Sequence, residues 1–269
     1  MQYRFGLVLS GGGSRGIAHA GVLAALKEDG LEPEAISGTS AGALVGALYG
    51  AGMEPQEMLD FFAETSPYRI SKLSFGKPGL FDTEKIIPDF EAAFPDDRFE
   101  TLKCRVFVAA TDLVRARLEI FSTGRWIRPV IASCSVPALF APTLIDGRPF
   151  ADGGIIDNFP VYPLLGLCDV IVGVYVSPMS PLDSSALNGA LAVSQRAYEI
   201  AVYHSSLRRF HYCSLVLHPE GLRRFGMFDV RSREEIFELG YRAVRKRRDE
   251  ILRLFEDPLQ GGSKLSEPC

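Results

Sequence analysis

The sequence is short of the features that mark a membrane-spanning, nucleic-acid-binding or disulfide-stapled protein. Its longest weakly polar stretch, Ala41 to Met53, is too short and too rich in glycine for a membrane span. Cysteine is sparse and scattered: Cys104, Cys134, Cys168, Cys213 and Cys269 form no C-x-x-C pair and no cluster with histidine. This leaves no zinc or redox motif, so no metal or cofactor is expected, and an odd number argues against a disulfide framework. Reduced thiols in a cytoplasmic protein are the simplest expectation. Basic excess is lacking as well. The net charge is −4 and no basic and aromatic groove pattern appears, so nucleic acid is not an expected partner. No Pro/Gly/Ser linker and no internal repeat divides the 269 residues, whose 47% hydrophobic content suffices for one sizeable core. The expectation is a single domain over residues 1–257 and a disordered tail over 258–269. Ala18-His19-Ala20 looks like a cleavage site only superficially. The apolar run ahead of it is no longer than Phe5 to Leu9 and is broken by glycines, so no targeting segment is expected. Nothing in the pattern sets an oligomeric state.

What the chain does contain is Ile36-Ser37-Gly38-Thr39-Ser40-Ala41-Gly42-Ala43, a G-x-S-x-G between a short apolar stretch and a helix of small residues. In a nucleophile elbow, a sharp strand-to-helix turn lifts one hydroxyl clear of the backbone. Gly38 and Gly42 then have a physical reason, because side chains two residues either side of the serine would collide with the neighbouring backbone. A tight connection without chemistry fits the same five residues, so the reading needs support from elsewhere in the chain.

Support comes first from the N-terminus. Phe5-Gly6-Leu7-Val8-Leu9 reads as a buried strand running into Ser10-Gly11-Gly12-Gly13-Ser14-Arg15-Gly16, after which a helical pattern starts at Ile17. Successive glycines ahead of a helix leave backbone N–H groups bare at the positive end of the helix dipole, which suits an anion. Gly11, Gly13 and Gly16 fit the G-x-G-x-x-G of a dinucleotide site, but that site needs an acidic residue ending the next strand. Here the next strand, Glu34 to Ser37, ends in the serine turn. The other candidate anion is the transient oxyanion of an attacked ester, held by Gly12 and Gly13 if the first two strands are parallel neighbours.

The third element is Asp152-Gly153-Gly154, following a hairpin pattern over 143–150; an Asp-Gly pair alone is first of all a turn signal. Taken together, the glycine loop with its Arg15-Gly16, the G-x-S-x-G and the late D-G-G resemble the patatin-like phospholipases. Gly16-Ile17-Ala18-His19-Ala20-Gly21-Val22-Leu23 resembles that family's first helix, and Ala132 to Pro142 its stretch ahead of the aspartate. The resemblance spans about residues 5 to 160 and implies a lipid or acyl-ester substrate, a three-layer architecture and a Ser-Asp dyad. Ser40 would be the nucleophile, Asp152 its base and the Gly11, Gly12, Gly13 loop the oxyanion hole. Arg15, Gly16, Gly38, Gly42, Gly153 and Gly154 would support the motifs. Such a base needs a proton affinity above that of a solvated carboxylate, which burial against Phe140, Phe150 or Phe159 would give. A thioesterase or acyltransferase would use the same dyad, and a non-catalytic nucleotide or ligand binder would use only the glycine loop.

Histidine offers a competing triad, since Ser40, Asp152 and then His204, His211 or His218 follow the α/β-hydrolase order. Only one strand and one helix fit ahead of Ser40, however, and no H-G-G-G loop is present. Each of these histidines is therefore read as solvent-facing or structural, and His19 as a packing or hydrogen-bonding group of the first helix. Arg15 either meets an anionic head group or pairs with a carboxylate at the mouth.

Along the chain, strands are expected at 4–9, 35–37, 105–111, 118–122, 143–150, 170–176 and 214–217. Helices are expected at 17–29, 41–52, 55–64, 83–93, 126–134, 184–207 and 232–255. The alternation predicts an α/β fold with a mostly parallel central sheet covered by helices on both faces, and a site at the carboxyl ends of its strands. Residues 65–82 read as a flap over an acyl pocket or as an ordinary connection. Arg242, Arg245, Lys246, Arg247, Arg248 and Arg253 on the final helix either draw that face to anionic lipid as a peripheral membrane contact or form a solvated surface.

Overall fold

The computed structural model describes residues 2–64, 79, 81–179, 181–226 and 229–256. Strand β1 (Tyr3–Leu9) lies at the centre, and its alternating side chains feed two different apolar clusters. Phe5, Leu7 and Leu9 point to one face of the sheet and Val8 to the other, as a period of two requires. On the first face, α1 (Ile17–Glu28) and α2 (Ala41–Gly50) pack with α7 (Arg233–Lys246), α8 (Arg248–Glu256) and α5 (Ile127–Ser133). The second face is covered by Phe159, Val161 and Leu164 together with the end of α6 (Ala190–Leu207) and Phe210. The result is a three-layer α/β architecture. Two further short helices, α3 (Glu57–Glu64) and α4 (Ile87–Ala93), flank the first face.

Eight strands among the described residues form one mixed sheet. β2 (Ala35–Thr39) and β7 (Cys168–Val174) run parallel to β1 on either side, with β3 (Arg105–Asp112) parallel beyond β2 and β8 (Leu215–Leu217) parallel beyond β7. Past β3 the direction reverses: β4 (Arg117–Phe121) and β6 (Arg148–Asp152) pair antiparallel with it, and β5 (Thr143–Ile145) with β6. The β5–β6 turn is Asp146-Gly147, with both φ values positive (49° and 74°), as a two-residue hairpin demands.

The register along β3 positions the site. β4 occupies one edge of β3 from Val108 to Asp112. β2 takes the opposite edge up to Thr39, which faces Ala109, and β6 takes that same edge beyond it, with Asp152 facing Ala110. β2 and β6 therefore run head-on along one edge and stop at adjacent positions.

Several expected helices are interrupted. The 83–93 pattern is a 3-10 turn at Thr83–Lys85 followed by α4, which carries Pro88 in its first turn, where no N–H is missed. The 184–207 pattern is a turn at Ser184–Ala186, then α6, entered through extended Gly189. The 232–255 pattern breaks at Arg247, which leaves helical backbone angles (φ −115°, ψ 19°). That break turns α8 back so that Phe255 packs edge-on against Phe5 at 5.1 Å. Five of the six basic residues of this region stand in ion pairs, Arg242 with Glu238, Arg245 and Arg248 with Asp29, Lys246 with Glu220 and Arg247 with Glu250, and Arg253 donates to the Asp249 carbonyl at 3.1 Å. Among the described residues, no helix is long and apolar enough to cross a membrane. Most of the 65–82 flap and the 258–269 tail lie outside the described residues.

Candidate active site

Ser40 occupies the turn between β2 and α2 with φ 54° and ψ −126°, a conformation that costs a non-glycine residue about 1–3 kcal/mol. Three contacts hold it there. The Ser40 N–H donates to Ser133 Oγ at 2.8 Å, and the Ser133 hydroxyl donates to the Ala109 carbonyl at 2.6 Å. The Ser40 carbonyl accepts the first turn of α2 from Leu44 at 3.0 Å. Gly42 lets α2 press onto β1, since a Cβ there would stand 2.2 Å from the Leu9 carbonyl oxygen. Ser40 is 7% exposed, and the positive end of α2 starts at its own residue, which favours negative charge on its oxygen.

Asp152 ends β6 and caps the short turn Gly153–Ile155, its Oδ1 accepting the Gly154 N–H at 2.7 Å. Its backbone is fixed by Asp152 N–H to Ser135 O (3.0 Å) and Thr111 Oγ1 to Asp152 O (2.9 Å). Asp152 is 2% exposed. Burial raises its pKa to about 6, against the opposing hydrogen bonds from the Ser40 hydroxyl and the Gly154 N–H. The head-on meeting of β2 and β6 thus sets the two side chains together, in a cleft they line with Gly12, Gly13, Arg15, Val136 and Met179.

The glycine loop leaves β1 and borders the same cleft. Of its three glycines, Gly11 spends its N–H on the Asn158 carbonyl (3.2 Å). The N–H groups of Gly12 and Gly13 bond to nothing among the described residues, and Gly13 has φ 60°, where glycine alone is at ease. Arg15 reaches the Gly12 carbonyl through Nε at 3.3 Å and shares the cleft with Glu199. Gly16 and Gly38 allow close backbone approach: a Cβ at Gly16 would meet Ala41, and one at Gly38 would meet Gly42. Gly153 packs in the same way on the Ala109 carbonyl.

The histidines stay apart from this cleft, whose lining includes none of them. His19 is fully buried, bonds through Nε2 to the Ser10 carbonyl at 2.8 Å, and is held neutral by burial with its pKa lowered to about 4. His204 stands exposed on α6, His211 stacks on Tyr212, and His218 packs edge-on against Tyr175 and Phe210.

Four site residues escaped the sequence reading. Ser133 supports the elbow as described. Cys134 lies against the Ser40 hydroxyl, and burial followed by the Asp152 charge pushes its thiol far above the ordinary range, so it is protonated. Tyr198 comes over from α6 with its hydroxyl at Gly154, where burial and Asp152 keep it un-ionised. Asn158, 4% exposed, lines the cleft between Gly11 and Gly154. The Asp157-Asn158-Phe159-Pro160 run signals a turn at most, and only the sheet brings it to Ser40.

Residues 7–165 match the family model described as patatin-like phospholipase. An uncharacterized NTE family protein of Mycobacterium bovis is 34% identical over 179 residues, covering 64% of this chain and 48% of that protein. A lysophospholipase of Aspergillus niger is 30% identical over 267 residues, covering 88% of this chain and 17% of that protein. The chain therefore spans about half the length of the mycobacterial relative and a much smaller share of the fungal one. Among solved structures, VipD from Legionella pneumophila shares the fold with a TM-score of 0.55 at 15% identity, over 93% of this chain and 67% of that one.

Proposed function

The chain belongs to the patatin-like phospholipase family, and from that premise we propose that it is a serine acyl hydrolase cleaving carboxylic ester bonds of phospholipids and lysophospholipids. One observation carries the reading: a strained, cleft-lining serine hydroxyl lies beside a buried carboxyl whose pKa is raised to about 6. A carboxylate with that proton affinity is ionised at neutral pH yet basic enough to take a proton from an attacking hydroxyl.

In this reading Asp152 accepts the Ser40 proton as Oγ attacks the ester carbonyl. The carbonyl oxygen becomes an oxyanion held by the bare N–H groups of Gly12 and Gly13, each worth about 3 kcal/mol in such a role. Collapse breaks the bond to the leaving alcohol, which takes the proton from Asp152 and departs, leaving an acyl-Ser40. Water then attacks with Asp152 again as base, the acid leaves, and Ser40 regains its proton. The lipid class rests on the family and on the fungal lysophospholipase relative, and the apolar cleft residues Val136, Pro178, Met179 and Val202 are compatible with an acyl chain. Arg15 would face an anionic head group at the mouth. A cytoplasmic enzyme meeting lipid at a membrane surface fits this substrate.

The test is a panel of p-nitrophenyl esters, thioesters, lysolipids and diacyl lipids, run with wild type and Ser40→Ala, with and without an added alcohol acceptor. Hydrolysis of lysolipid or diacyl lipid that vanishes in Ser40→Ala supports the reading. Turnover confined to thioesters, or transfer to the alcohol in place of hydrolysis, would reassign the leaving group or acceptor. Undiminished activity in Ser40→Ala would overturn the reading.

A further inference from the structure

Asn158 carries an unexplained polar group. Its side chain is 4% exposed and makes no hydrogen bond among the described residues; Nδ2 in particular is shut from solvent and unpartnered. A buried amide left unsatisfied costs about 1–3 kcal/mol, which an apolar side chain of similar size would avoid. The neighbourhood nevertheless makes room for it. A Cβ on Gly11 would stand 2.3 Å from Asn158 Oδ1 and 3.1 Å from Ser40 Cβ, so the amide and the serine reach the same spot above the loop. A Cβ on Gly154 would stand 3.0 Å from the same Oδ1. The Asn158 main chain is anchored independently, its carbonyl receiving the Gly11 N–H at 3.2 Å and the adjacent Asp157 carbonyl receiving Thr39 Oγ1 at 2.8 Å. A rigid backbone therefore presents a neutral, unspent amide at the head of a loop whose next two N–H groups are bare.

Resting on the dyad reading above, we infer that Asn158 is a further catalytic residue, donating a side-chain N–H to the tetrahedral oxyanion beside Gly12 and Gly13. A half-turn about χ2 exchanges the two ends of the amide, so the donor reaches the place now held by Oδ1 next to Ser40. The unsatisfied donor is then a poised group: unpaired in the resting protein and paired when negative charge develops. This is the condition for accelerating the chemical step rather than for tightening substrate binding. Being neutral, the amide does this without altering the charge felt by Asp152.

The experiment measures kcat and KM for a p-nitrophenyl ester across pH, the rate of Ser40 phosphonylation by a fluorophosphonate, and the affinity of an alkylboronic acid, in wild type, Asn158→Ala and Asn158→Ser. The expected result is a fall in kcat of about 100-fold in Asn158→Ala. KM and the acid limb of the pH profile stay at their wild-type values, and boronate affinity and phosphonylation rate fall with kcat. Asn158→Ser, the smaller perturbation, keeps the readout available should the alanine variant fold poorly, and is expected to fall part of the way. Unchanged kcat in the variants, a loss confined to KM, or a displaced acid limb would each overturn the assignment while leaving Ser40 and Asp152 in place. Absence of any Ser40 adduct in the wild type would instead bring down the dyad reading, and this inference with it.

Discussion

Ser133 Oγ accepts the backbone N–H of Ser40 at 2.8 Å while donating its own proton to the Ala109 carbonyl at 2.6 Å, so one hydroxyl ties the elbow to β3, the strand on which Asp152 of β6 is paired. Removing it leaves the Ser40 N–H without a buried partner, at a cost of about 1–3 kcal/mol, on a residue already held in strained backbone. Ser133→Ala is expected to lower the melting temperature and to cut kcat by about tenfold with a small change in KM. Thermal melts and steady-state kinetics check this; wild-type kcat would show that the elbow does not need the strut.

The raised pKa of Asp152 sets the pH dependence. As a base it works only when ionised, so kcat/KM is expected to fall about tenfold per pH unit below about pH 6 and to level off above it. A profile flat down to about pH 4, the range of a solvated carboxylate, would contradict the assignment.

The same shift has a stability consequence with a definite sign. The folded pKa of about 6 lies above the unfolded carboxylate value, so folding favours protonated Asp152, and that advantage is lost as pH rises through about 6. Asp152→Asn is therefore expected to be more stable than wild type at about pH 8, by at most about 3 kcal/mol, with the difference vanishing below about pH 4. Denaturant titrations at the two pH values measure it, and equal stability at both would argue that the carboxyl is not held in an apolar site.

His19 behaves in the opposite sense. Burial lowers its folded pKa to about 4, so its contribution is complete above the unfolded value near 6.5 and is lost as pH falls through about 4. His19→Gln, which keeps a donor toward the Ser10 carbonyl, is expected to lose less stability than wild type between those pH values. An identical acid transition in both proteins would remove His19 as its source.

His204, His211 and His218 do not line the cleft, and each alanine variant is expected to keep kcat within about threefold of wild type, as befits residues outside the chemistry. Steady-state assays decide it. Loss of two or more orders of magnitude in any one would restore a histidine to the mechanism.

What was legible in the sequence was local. Gly38-Thr39-Ser40-Ala41-Gly42 announced a strand-to-helix turn because only glycine tolerates such backbone contact, and Asp146-Gly147 announced its hairpin through the left-handed angles both residues adopt. The mostly parallel core followed from alternation of strands and helices. Asp152 emerged only by resemblance, since its nearness to Ser40 depends on β2 and β6 sharing an edge of β3, a register that no local pattern encodes. Asn158, Tyr198, Ser133 and Cys134 were illegible for the same reason: each is an ordinary residue until the sheet gathers it. The break at Arg247 carries no glycine or proline to announce it, and it is accompanied by a contact of Phe255 on Phe5, far along the chain, that no local pattern encodes. Gly189, which the expected 184–207 helix ran through, is the residue at which α6 begins.

The most direct measurement is peptide mass spectrometry after brief fluorophosphonate treatment of wild type, Ser40→Ala and Asp152→Asn near neutral pH. The account predicts a single phosphonyl adduct on the peptide holding Ser40, none in Ser40→Ala, and at least about 100-fold slower formation in Asp152→Asn with the fold intact. An adduct on another residue, or Asp152→Asn labelled as fast as wild type, would contradict it.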